Sequence, residues 1–93
     1  MRFTYDSELD SLSITLLETD PVLQVNGTSG WPRQSVIIEL DGSGNVCRIQ
    51  IDRPNEGVFT PLQAAIAQYS MPLSHAHFLT HIANSFGAFD FNA

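Results

Sequence analysis

The stretch VIIELDGSGNVCRIQI, Val36 to Ile51, constrains the fold more than any other part of the chain. Two apolar, alternating runs flank a tip of Gly42, Ser43, Gly44 and Asn45, which is the pattern of a β-hairpin. Residues two apart on a strand share a face, and directly opposed residues share one too. Pairing Leu40 with Cys47 meets that condition. It sets Ile38 against Ile49 and Val36 against Ile51 on one apolar face, with Glu39 against Arg48 and Ile37 against Gln50 on the other. Asp41 then pairs with Val46, and the four tip residues are of types that tolerate a positive φ. A slip of one residue would oppose Ile38 to Arg48, which only a bulge could reconcile.

The same period of two recurs near the start. Phe3 and Tyr5 share one face of Arg2 to Tyr5, and Leu12, Ile14 and Leu16 share one face of Ser11 to Leu17. Pairing Phe3 with Ile14 and Tyr5 with Leu12 keeps the apolar groups together. Asp6, Ser7, Glu8 and Asp10 then fall in a polar turn, where Asp6 can accept from the amides that follow it. The segments YDSELDSLSITL and VIIELDGSGNVCRIQI together resemble the domain-of-unknown-function family 2283. Its pattern is matched by Tyr5, Asp6, Asp10, Leu12, Ile14, Ile38, Asp41, Gly44, Val46, Ile49 and Ile51. Arg48 stands where that family usually has glycine, Gln50 where it has glutamate, and Glu39 where it has aspartate. The resemblance covers about the first half of the chain and implies a small antiparallel sheet with a helix against it, with no established activity.

Between Glu18 and Arg33, Val22, Leu23 and Val25 are compatible with a short strand, and Asn26 to Pro32 read as loop around Trp31. After Asp52, Arg53 and Pro54 end the hairpin. Thr60-Pro61-Leu62-Gln63 has the form of a capping box opening a helix to about Tyr69, with Leu62, Ala65, Ile66 and Tyr69 on one face. Met71 and Pro72 break it. Ser74 is placed to cap a second helix to about Ser85, striped by Phe78, Leu79, Ile82, Ala83 and Phe86, with Gly87 as its stop. Phe89 and Phe91 then lie on one side of an extended tail. The expected fold is α+β: one domain over residues 1–93, with a sheet of about four antiparallel strands over 1–54. Two helices over 58–86 pack on one face of that sheet, and an aromatic tail covers 87–93.

Charge narrows the function. Ten carboxylates face four arginines and no lysine, for a net charge of −6. That field disfavours phosphate backbones and suits a basic protein surface. No apolar run approaches the ~20 residues of a membrane span. Arg2 leads straight into alternating strand residues in place of a signal peptide, so a cytoplasmic protein is expected. Cys47 faces inward in the expected register and reads as a core residue.

His75, His77 and His81 form the one cluster of ligand-type residues, and His77 and His81 are a helical turn apart, close enough to face one metal. His75 points elsewhere on such a helix and no third strong ligand is identifiable, so the solvated polar face of an amphipathic helix is the preferred account of the cluster. Asp6, Glu8 and Asp10 open like a calcium loop but lack its glycine and closing glutamate. No phosphate loop or nucleophile elbow is present. The expected function is therefore a non-enzymatic protein-binding or assembly module, antitoxin-like or inhibitory, without cofactor. It is expected to be a homodimer that also takes a protein partner, with Trp31, Phe86, Phe89 and Phe91 as candidate interface residues. The alternative is a metal-binding domain or metal-dependent enzyme using His77 and His81.

Overall fold

A computed structural model describes residues 1–26, 36–54 and 59–90, with the side chains of the last segment described over 62–85. The strands are β1 (Arg2–Asp6), β2 (Ser11–Thr15), β3 (Leu23–Asn26), β4 (Val36–Leu40) and β5 (Val46–Asp52). Two helices follow, α1 (Phe59–Gln68) and α2 (Leu73–Asp90). The strands form one antiparallel sheet in the order β1-β2-β5-β4-β3. The fold is α+β, with five strands among the described residues where about four were expected. The fifth is β3, whose Leu23 and Val25 pair with Leu40 and Ile38 and so extend the apolar face.

Alternation sets the layers. Leu12, Ile14, Val36, Ile38, Ile49 and Ile51 pack in one cluster with Leu62, Ala65, Leu79, Ile82 and Ala83 of the helices. Ile66, Tyr69 and Phe78 line its margin. Fully burying a side chain of this size contributes about 1.5–3 kcal/mol, so this single layer between sheet and helices dominates the stability. The β1–β2 pairing is the expected one, with Phe3 opposite Ile14 and Tyr5 opposite Leu12. In its turn, Asp6 Oδ1 accepts the amides of Glu8 at 3.0 Å and Leu9 at 3.3 Å.

The β4–β5 hairpin keeps the expected register as far as Glu39 opposite Arg48, then departs from it. Leu40 faces Val46, not Cys47, because a β-bulge intervenes. The cause lies at the tip. The Asp41 amide donates to the carbonyl of Asn45 at 2.9 Å and the Gly44 amide to that of Asp41 at 3.0 Å. Those bonds close a three-residue loop, one shorter than expected, with Gly44 at φ +82° in the left-handed region. The tip is thus out of step with the strands by one residue, and Cys47 absorbs the difference. Its carbonyl accepts the amides of both Leu16 (2.9 Å) and Leu17 (3.2 Å), so the bulged backbone is satisfied by the end of β2.

The helix boundaries need three corrections. α1 begins at Phe59, which puts Thr60 and Pro61 in its first turn, where proline is tolerated. α2 begins at Leu73, and the carbonyl of Pro72 accepts the amides of His75 and Ala76, so Ser74 lies inside the helix rather than capping it. It also runs through Gly87 to Asp90, replacing the extended tail expected from residue 87. A lone glycine costs a helix interior only about 1 kcal/mol, too little to stop one with good formers on either side.

Candidate functional site

Among the described residues, three regions gather side chains able to meet a partner: the hairpin tip, a cleft beneath the start of α2, and the outer strands of the sheet.

At the tip, Asp41 is the organising group. Its Oδ1 accepts the amides of Ser43 (2.9 Å) and Asn45 (3.0 Å), and its Oδ2 accepts the Thr19 hydroxyl at 3.0 Å. The Asn45 amide above all, with the Ser43 amide and the Thr19 hydroxyl, holds the carboxyl below the ordinary aspartate range, against the opposing effect of partial desolvation. The carboxylate therefore fixes the loop and ties the segment leading to β3 onto the hairpin. With its oxygens so engaged, Asp41 serves as a structural group of the tip.

The cleft, of about 240 Å³, opens where the end of β2, the hairpin tip and the α1–α2 connection meet. His75 lines it, with Asn45, Ser70 and Ser74 as polar neighbours and Leu17 and Met71 as apolar ones. His75 is only 8% exposed, and its imidazole makes no hydrogen bond among the described residues. The expectation that it belongs to a solvated polar face is thus corrected. It sits four residues before Leu79 and seven before Ile82, on the buried stripe of α2, and that spacing is the signal in the sequence that could have placed it. His77 and His81 lie on the exposed face. No three His, Cys, Asp or Glu side chains among the described residues group as a cation site. Among the described residues, the cleft is lined by no carboxylate and by no titratable group other than His75.

The outer strands carry the most unusual surface. Phe3 of β1 is 44% exposed, Leu23 at the start of β3 is 55% exposed, and Val22 just before it is 70% exposed. The Phe3 ring lies 6.2 Å from that of Phe78, so sheet edge and α2 present one aromatic patch. On the opposite face of β1, Arg2 forms an exposed ion pair with Glu18. Of the expected interface residues, Trp31 and Phe91 lie outside the described residues. Phe86 and Phe89 fall on α2, with their side chains outside those described.

Behind the sheet, on the face away from the helices, Glu39 departs from expectation. It is 3% exposed and accepts a hydrogen bond from Gln50 Nε2 at 3.0 Å. β4 is an inner strand, so Gln24 and Arg48 flank Glu39 from both neighbours, and a position expected to be solvated is enclosed. No described helix is long and apolar enough to cross a membrane.

No family model, curated protein or solved structure matches this chain.

Proposed function

We propose that this protein is a non-enzymatic assembly and binding module of the cytoplasm that works as a homodimer and docks a protein of basic surface. The observation that carries the reading is the exposure of Phe3, Val22 and Leu23 at the two outer strands. Outer strands offer unpaired backbone groups to another chain, and monomeric proteins usually guard such edges with lysine, proline or a bulge. The described strands β1 and β3 contain no lysine, proline or bulge; the charges of β1 are confined to its two ends, Arg2 and Asp6, and β3 is a short strand of four residues. The net charge of −6 adds the preference for a basic partner over a nucleic acid.

Sedimentation velocity over a hundredfold range of concentration tests the reading. A species of twice 10.3 kDa that dissociates on dilution supports it. A monomer at every concentration, with no complex formed on adding basic proteins of the source cell, would falsify it.

A further inference from the structure

We propose that two copies of the chain join through β1, antiparallel about a two-fold axis at Thr4, so that their sheets become one sheet of ten strands. This rests on the reading of the protein as a homodimer and names the surface that makes it.

The register follows from the ladder itself. In an antiparallel pair, opposed residues have the same hydrogen-bonding phase, so two copies of one strand can meet only symmetrically about a residue. For β1 the central choices are Phe3, Thr4 and Tyr5. Centring on Phe3 leaves Asp6 outside the pairing, and centring on Tyr5 leaves Arg2 outside it. Centring on Thr4 pairs all five residues of β1 and opposes Arg2 to Asp6 of the second copy, twice, by symmetry. Phe3 then meets Tyr5 of the second copy, also twice.

The faces agree as well. An axis through Thr4 perpendicular to the sheet keeps each opposed pair on one side. Phe3 and Tyr5 lie on the helix face, so the exposed Phe3 ring, already against Phe78, gains an aromatic neighbour where the core layer now ends. Arg2 and Asp6 lie on the other face. Asp6 is held in place by the two amides on its Oδ1, and its Oδ2 takes no hydrogen bond among the described residues. Arg2 uses Nη1 on Glu18, and a guanidinium has five N–H donors, enough to serve a second carboxylate. The other outer strand, β3, reads Leu23-Gln24-Val25-Asn26 and has no charge with which to fix a register.

Two independent readouts test the register. Thr4→Cys places two thiols directly opposite each other, at a separation a disulfide spans, so incubation with oxidised glutathione should convert most of the protein to a covalent dimer. Gln24→Cys on β3, treated alike, should remain largely monomeric on a denaturing gel. In the second readout, Arg2→Asp or Asp6→Arg alone should raise the dimer dissociation constant at least about tenfold, because each puts like charges opposite each other twice. The double exchange should return it to within about threefold of the parent. A parent dimer that persists while Thr4→Cys fails to cross-link, or that is indifferent to the charge reversals, overturns the β1 register and leaves the homodimer standing. A monomeric parent overturns both.

Discussion

Glu39 stands directly across the ladder from Arg48, yet its carboxylate takes its hydrogen bond from Gln50, two residues further along β5. The diagonal contact, and not the charge pair, is what satisfies this nearly buried group. Gln50→Leu should therefore destabilise the fold by about 1–3 kcal/mol by orphaning the carboxylate, whereas Arg48→Ala should cost less than about 1 kcal/mol. Urea denaturation of the two variants checks the order. Equal losses would return the pair to the role its register suggests.

Asp41 makes the hairpin tip sensitive to acid. Its folded pKa is depressed, the Asn45 amide being the largest cause, so its contribution is complete above the unfolded value and is lost as pH falls through the folded one. Asp41→Asn should lower the melting temperature at pH 7, and the gap from the parent should narrow as the pH drops below about 4. Thermal melts at stepped pH read this directly; a gap that stays constant down to pH 2 would show that the carboxylate's charge is irrelevant to the tip.

The two tip glycines should respond oppositely. A Cβ at either would meet nothing within 4 Å, so space does not decide the outcome. Gly44 has φ +82°, and Gly44→Ala should cost about 1–2 kcal/mol of backbone strain. Gly42 has no such requirement, and Gly42→Ala should be neutral or stabilise by up to about 1 kcal/mol through the unfolded chain. Equilibrium unfolding of both variants settles the contrast.

What could be read from the residues was whatever period two enforces. Phe3 opposite Ile14, Tyr5 opposite Leu12 and Ile38 opposite Ile49 are each the one arrangement that keeps apolar groups together, and each was legible for that reason. The bulge at Cys47 was not, because it arises from the hydrogen bonds of a three-residue tip, which the same Gly-Ser-Gly-Asn sequence can also close as four. Glu39 reads as an outward residue, and it is one. Its enclosure depends on β3 pairing outside β4, which four weakly patterned residues barely signal. The interior place of His75 was concealed by its type, since its spacing to Leu79 and Ile82 is that of a core residue. At the candidate site, the edge exposure of Phe3 depends on β1 being outermost, a fact of strand order that no local pattern contains.

Cys47 should behave as an inert thiol. It is fully buried, with Sγ 3.3 Å from the carbonyl oxygen of Glu39. Labelling by a thiol reagent should be far slower in the native protein than in denaturant, in step with the opening of the fold. Equal rates in both conditions would show that the bulged strand opens locally.

The claim that the outer strands are assembly surfaces is tested most directly by hydrogen exchange at amide resolution, run at a protein concentration well below and one well above the dimer midpoint. Amides that already bond within the sheet should exchange alike in both samples. The account predicts that the outward-facing amides of an outer strand, those of β1 before those of β3, slow by tenfold or more at the higher concentration as they enter a ladder with the second copy. Outer-strand exchange that is the same at both concentrations would contradict it.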